Sequence, residues 1–339
     1  MTSFTRRLPK LELHAHLNGS IRRRTLTTLA ATHALDPTTA LILTRWPRTL
    51  SEAFSVFDVI HSCVTTLRDM ERLAYEVAQD LDEDGIVYAE IRTTPRSMER
   101  GGLSEYVAAV LRGFGRYSRE GGGVVVRVLL SIDRARHTPA DADAIVDLAL
   151  SHPRIVGIDL SGDPTHGDFE TFLPALTRAR SLGLSVTLHA AEVRNTDTEM
   201  SAMLNYAPDR FGHCCFVSPA NLTRLRHSRI PIELCPTSNV LSNSVAALEH
   251  HHFGLHYQPG GKGSICCIST DDCGVFGSPL SNEYRLVMDA FGLGEREAFE
   301  LAKRTLQATF LDGSGESDGK DWERIQAKFD AFETSWNWN

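Results

Sequence analysis

The chain predicts a TIM (β/α)8 barrel with extra helices, an α/β fold in which eight parallel strands are each followed by helix or loop. Three observations carry that expectation. Eight short apolar runs alternate with stretches of helical apolar spacing along most of the 339 residues. The runs are nearly continuous in apolar character, as parallel strands buried on both faces require. A reactive residue follows the C-terminal end of most runs, on the face where such barrels build their sites.

The first run, Leu11-Glu12-Leu13-His14-Ala15-His16-Leu17, stops at Asn18-Gly19-Ser20. Alternate strand residues share a face, so His14 and His16 present both imidazoles to one side. Ser20 is a good N-cap, which predicts a helix over 21–35 with Arg22, Arg23 and Arg24 on a solvated face. Residues 36–50 read as irregular. Helical spacing starts at Ser51 and runs through Phe57 and Ile60, and a second helix over 69–82 ends at Gly85. The second strand, 86–92, closes on Thr93-Thr94-Pro95-Arg96. Helix 104–117 and the turn at Gly121-Gly122-Gly123 lead to a third strand, 124–132, ending at Asp133.

The alternation repeats. Helix 139–151 precedes strand 155–160, which ends in Ser161-Gly162-Asp163-Pro164, and helix 168–182 precedes strand 184–188, which ends in His189-Ala190-Ala191-Glu192. Helix 196–206 leads to a short strand, 210–212, ending at His213. After helix 219–228, strand 230–234 closes on Cys235-Pro236-Thr237-Ser238-Asn239, and strand 264–269 ends at Thr270-Asp271-Asp272. Helices over 279–291 and 295–310 complete the barrel. Residues 312–320 read as a flexible joint before a terminal helix. One domain is expected over 1–339, with its core at 8–310 and a helical tail at 311–339.

Composition narrows the function. A 42% hydrophobic and 23% charged content is ordinary for a soluble protein, and no window approaches the ~20 apolar residues of a membrane span. Net charge of -8 argues against a nucleic-acid polymer as partner while leaving room for a local cationic pocket. Seven cysteines, odd in number and without a CxxC, read as reduced core residues. The first seven residues lack the apolar core of a secretory signal, so a cytosolic location is expected, and the chain is taken to act as a monomer.

Barrel geometry brings His189 and Asp271 to the same mouth as His14 and His16. Three imidazoles and a carboxylate suit zinc, which lowers the pKa of a bound water to roughly 7. Glu192, three residues after His189, overhangs that position as a proton shuttle. His213 orients or deprotonates the water, and Asp272 hydrogen-bonds a substrate. Each of these three also has a plainer reading, as a strand-end salt bridge, a core histidine and a helix cap. Two decoys are set aside. Glu249-His250-His251-His252 with His256 resembles a metal tract but has no strand to align it, and Gly261-Lys262-Gly263-Ser264 is too short for a phosphate loop.

Six motifs in order carry a resemblance to the adenosine/AMP deaminase family over residues 8 to about 310. They are the stretch from Leu8-Pro9-Lys10 to Ser20, Ser161-Gly162-Asp163-Pro164, His189-Ala190-Ala191-Glu192, Gly212-His213, Cys235-Pro236-Thr237-Ser238-Asn239 and Ser269-Thr270-Asp271-Asp272. The resemblance implies one Zn2+ per chain held by His14, His16, His189 and Asp271, with Glu192, His213 and Asp271 catalytic. An activated water would attack C6 of the purine while Glu192 protonates N1, His213 assists the water, Asp272 meets N7 and the backbone of Gly162 meets N3. No lysine lies on the fourth strand, which argues against the lysine-bridged two-metal site of related hydrolases. The H-x-E and P-C-x-x-C signature of the other zinc deaminases is also absent.

Within the family the chain looks most like the branch acting on N6-methyl-AMP. That implies hydrolysis of N6-methyl-AMP, or another N6-substituted purine nucleoside monophosphate, to IMP with release of methylamine or another amine. Adenosine deaminases carry Asp where Asn18 stands. Two unit charges about 5 Å apart repel by roughly 3 kcal/mol at an effective dielectric of 20, so Asn18 removes an obstacle to a 5'-phosphate. Thr93-Thr94-Pro95-Arg96 offers two hydroxyls and a guanidinium to a phosphate, and the same resemblance places Thr94 and Arg96 there with His61 and Asp133 near the nucleotide; His16 and Asn18 are also expected to meet the substrate. The alternatives are deamination of adenosine to inosine and a binding protein that keeps the scaffold without the chemistry.

Overall fold

The computed structural model describes residues 3–32, 50–311 and 316–338. Its eight strands are β1 (Lys10–His16), β2 (Ile86–Thr93), β3 (Val125–Asp133), β4 (Ile155–Ser161), β5 (Ser185–Ala190), β6 (Arg210–His213), β7 (Ile232–Leu234) and β8 (Cys266–Ile268). They form one sheet in sequence order with every neighbouring pair parallel. The ring closes just beyond β8. His16 N–H donates to the Asp271 carbonyl and Asp271 N–H to the His14 carbonyl, both at 2.8 Å. The seam between first and last strand therefore runs through three of the expected ligands.

Helices cover the outside of the barrel with apolar stripes. Leu67–Glu83 buries Met70, Leu73, Ala74, Val77, Ala78 and Leu81, a spacing of three and four residues that keeps one face inward. Thr66 and Asp69 form a reciprocal capping box at its start. At the far end of the barrel, Phe329 and Phe332 of the helix Glu316–Ser335 are buried, and Phe332 packs against Phe4 and Phe299. No helix among the described residues is long and apolar enough to cross a membrane. All seven cysteines are free, as expected.

Several local expectations are corrected. The helix after β1 starts at Arg23, and Ser20 does not cap it, because its hydroxyl donates to the His16 carbonyl at 2.8 Å inside the intervening turn. The helix expected over 295–310 is Glu295–Arg304 followed by a tighter turn at Thr305–Ala308. Short helices at Pro236–Leu241, Phe253–His256 and Cys273–Phe276 were not expected, since four to six residues leave no periodic pattern. Residues 33–49, most of the stretch read as irregular, and 312–315 of the expected joint lie outside the described residues.

The largest departure is inside the barrel. Glu12, Glu90, Arg92, Asp159, Arg210 and Glu233 are fully buried there. Buried charge persists only where each group finds partners, and these do. Glu233 accepts from Arg210 Nε at 2.5 Å, Thr187 Oγ1 at 3.0 Å and Arg92 Nη2 at 2.9 Å. Arg210 also donates to Glu90 at 2.6 Å and lies 3.5 Å over the Phe310 ring. The apolar strands thus enclose a charged floor.

Candidate active site

His14, His16, His189 and Asp271 each point one ligand atom into a common space, all within 4.8 Å of one another. His16 Nε2 and His189 Nε2 are 3.2 Å apart, and Asp271 Oδ1 lies 3.5 Å from His14 Nε2 and 3.4 Å from His16 Nε2. The floor aims two of the rings. His14 Nδ1 donates to Glu233 at 2.6 Å and His189 Nδ1 to Asp159 at 3.0 Å, so each turns the other nitrogen inward as a lone pair. Ser238 Oγ holds Asp271 through Oδ2 at 2.6 Å, leaving Oδ1 to face the histidines.

This donor set fits a divalent metal ion. His14 Nε2 is buried without a hydrogen-bond partner, a vacancy an ion would satisfy. Burial lowers His16 to about 3, which keeps it a neutral ligand. Burial and the Arg92 charge push His14 down, yet its bonds to Asp271 and Glu233 outweigh them and hold it at about 9. Metal binding would therefore displace a proton there. An overlapping set, His14, His213, Cys235 and Asp271, is equally close. Burial pushes the Cys235 thiol well above its usual range, so the set with carboxylate-backed rings is the better metal site.

Around this cluster lie the groups expected to move protons. Glu192 is partly buried, its Oε1 is 3.2 Å from His213 Nε2, and loss of solvent pushes its carboxyl up to about 7. A carboxylic acid at that value can donate near neutral pH. His213 reaches the site by a backbone device. Gly212 already faces inward, since a Cβ there would lie 2.8 Å from His14 Cε1. Strand alternation would then turn His213 outward, but its left-handed φ of 60° brings the ring back beside His14 and His189. Asp271 shares this conformation, with φ of 62°. Non-glycine residues held there mark functional strain of order 1 kcal/mol or more.

Asp272 faces the cavity instead of the ligands. Burial, with the negative charges of Asp271 and Glu192, raises its carboxyl well above the carboxylate range, and Oδ1 is without a partner. A protonated acid there is a hydrogen-bond donor waiting for an acceptor. Gly19 makes room for it, because any Cβ would sit 1.6 Å from Asp272 Oδ1.

One cavity of about 420 Å³ joins these groups to most of the other expected residues. His16, Asn18, His61, Thr93, Thr94, Asp133, Gly162, His189, Glu192, His213, Asp271 and Asp272 all line it. Arg96 does not. Its half-buried guanidinium donates to the Val64 carbonyl at 2.5 Å, and Nε has no partner. Thr93 spends its hydroxyl on Tyr106 at 2.7 Å, leaving Thr94 as the freer of the pair. The cavity wall adds Arg136, which sequence reading missed. Burial lowers His61 to about 4, and the charges of Arg96 and Arg136 push the same way. Arg136 there pairs with Asp58 at 3.3 Å and lies 3.9 Å from Asp133, and Asp133 and Asp163 line the same cavity, so its charge is already accompanied by carboxylates.

The orienting residues Asp159, Glu233 and Ser238 were also missed. A signal existed, because Asp159 and Glu233 interrupt apolar runs and share a face with the strand-end positions two residues on. A barrel whose mouth gathers three imidazoles, a carboxylate and a facing acid defines a metal-dependent hydrolase. Comparison with known proteins narrows that class. Residues 9–320 match the family model described as adenosine deaminase. The chain is 39% identical over 335 residues to the N6-mAMP deaminase of Arabidopsis thaliana, covering 90% of this chain and 93% of that one. It is 37% identical over 344 residues to the N6-methyl-AMP deaminase of Bos taurus, covering 97% of each. The solved structure of Arabidopsis ADAL complexed with IMP superposes with a TM-score of 0.89 at 36% identity, covering 98% of this chain and 99% of that one. The chain belongs to the adenosine deaminase family.

Proposed function

We propose that this protein hydrolyses N6-methyl-AMP to IMP and methylamine, using one zinc ion per chain. One observation supports the reading above others: the carboxyls of Glu192 and Asp272, both pushed up from the usual carboxylate range by burial, face the same cavity as the cluster of His14, His16, His189 and Asp271. Purine ring nitrogens carry lone pairs, so a site that deaminates a purine has to donate hydrogen bonds to them. The similarity to a relative solved with IMP supports a monophosphate, since IMP is the proposed product.

In this reading His14, His16, His189 and Asp271 hold the ion, three nitrogens and one oxygen being a set zinc accepts. When bound, zinc supplies a water acidic enough to attack an aromatic carbon near neutral pH. Asp272 donates to N7 and the Gly162 backbone N–H to N3, fixing the ring face. Glu192 gives its proton to N1, which draws electron density from C6 as the new C–O bond forms. The proton that the water loses returns to Glu192, the remaining hydroxyl proton passes from the new C6–OH to N6, and the C6–N bond breaks as C6=O forms, releasing neutral methylamine. Thr94 and Arg136 offer a hydroxyl and a guanidinium to the 5'-phosphate from the cavity wall, with neutral His61 beside them and Arg96 needing to leave the Val64 carbonyl to join them, while Asp133 contacts the nucleotide and Asn18 keeps a carboxylate away from it.

The test compares kcat/KM for N6-methyl-AMP, AMP, N6-methyladenosine and adenosine, in the parent and in Asn18→Asp. N6-methyl-AMP should lead in the parent, and Asn18→Asp should cut the preference for monophosphates over nucleosides by about 100-fold, the equivalent of roughly 3 kcal/mol. A parent that prefers adenosine overturns the proposal in favour of adenosine deamination.

A further inference from the structure

The histidine tract after β7 holds no ligand atom of the metal cluster, yet it touches the site from behind. Phe253 N–H donates to His251 Nδ1 at 3.0 Å. A backbone amide only donates, so Nδ1 carries the lone pair and neutral His251 is protonated on Nε2. That nitrogen lies 3.0 Å from Asn239 Oδ1, which must accept. The amide is thereby oriented, and its Nδ2, 3.2 Å from His213 Nδ1, must donate. His213 Nδ1 is then an acceptor. The ring proton is left on Nε2, the nitrogen 3.2 Å from Glu192 and turned toward the ligand cluster. Turning the Asn239 amide over would set two donors against each other at His251, so the chain of bonds admits one direction.

A second contact acts on the backbone. His252 Nε2 donates to the His213 carbonyl at 2.6 Å, at the residue whose φ is 60°. His251 and His252 stack with ring centroids 4.2 Å apart, and both are buried. The pair forms a wedge behind the left-handed turn.

From this relay we propose that His251, acting through Asn239, is a positioning residue that locks His213 in the tautomer protonated on Nε2. The assignment rests on the deaminase reading for its catalytic consequence and on geometry alone for the tautomer. It also chooses between two roles for His213. A neutral ring with Nε2–H facing the site donates a hydrogen bond there and has no lone pair to take a proton from water. His213 orients the attacking oxygen and stabilises the charge growing on it, and the water's proton goes to Glu192, 3.2 Å from His213 Nε2, once that carboxyl has protonated N1.

The tautomer is read directly from imidazole 15N–1H correlation spectra of the metal-free protein, with the His213 signals identified by their loss in His213→Gln. The Nε2-protonated pattern is expected, and an Nδ1-protonated pattern overturns the proposal whether or not any variant folds. Asn239→Asp keeps shape but removes the donor to Nδ1. It should move the proton onto that nitrogen and lower kcat on N6-methyl-AMP by about 100-fold, with KM within threefold and metal content unchanged. His251→Leu should lose activity in the same way. His251→Gln, which restores a donor at the ε position, should recover most of that loss. An Asn239→Asp protein with parental kcat overturns the proposal. If the parent converts no purine nucleotide, the deaminase reading fails, while the spectra still decide the tautomer.

Discussion

In the proposed mechanism Glu192 has to carry its proton when the purine arrives, and burial holds its carboxyl up to about 7. The protonated form is the working one, so turnover should be flat below that pH and fall as pH rises through it. Glu192→Gln keeps the shape without the acid. Its kcat should drop by about 10²- to 10⁴-fold with metal content intact, measured by steady-state turnover and elemental analysis. Residues of this kind were legible in the sequence because each follows a strand end, and side-chain type together with position implied the chemistry. Their neighbours were harder to read. Asp159 and Glu233 look like flaws in apolar strands until the barrel closes around them, and His213 reaches the site only through a backbone angle that alternation would not supply.

Among the elements, the short helix Pro236–Leu241 is a support for the site, and a neighbouring helix holds it in place. Glu283, from Leu280–Phe291, accepts from Thr237 N at 2.9 Å and Thr237 Oγ1 at 2.6 Å, with Ser278 bonded to the same carboxyl. Ser238 and Asn239, the next residues, hold Asp271 and His213. Burial raises Glu283 to about 7 against an ordinary 4.5. Between those values the folded chain keeps a proton that the unfolded chain has released, so stability falls as pH rises through the window. The whole effect is of order 3 kcal/mol. Glu283→Gln mimics the protonated acid and should gain on the parent by that amount between pH 4.5 and 8, followed by denaturant unfolding. A flat difference would mean the parent carboxyl ionises as it does in the unfolded chain. The sequence showed the helix, expected over 279–291 and observed at Leu280–Phe291, through its periodicity, but not this grip, because a buried glutamate on an apolar stripe has no distinctive spacing.

For the molecule as a whole, the barrel order was legible because strands and helices alternate, whereas the closing seam was not, since it joins residues far apart in sequence. Two ligands belong to the first strand and one follows the last, so the ion ties both sides of that seam. Chelation should lower the melting temperature as well as abolish activity, and added zinc should restore both. Stabilisation of about 4 kcal/mol is expected at a free-ion concentration 1,000-fold above Kd. Asp271→Ala should make melting insensitive to the chelator.

The same seam has a bearing on biosynthesis. His14 and His16 leave the ribosome early, and at about 5–20 residues per second they wait on the order of ten seconds to a minute for Asp271. Until then the nascent chain displays two unpaired imidazoles and an unclosed sheet edge, so its exposure to wrong metals and to aggregation lasts until Asp271 has been made.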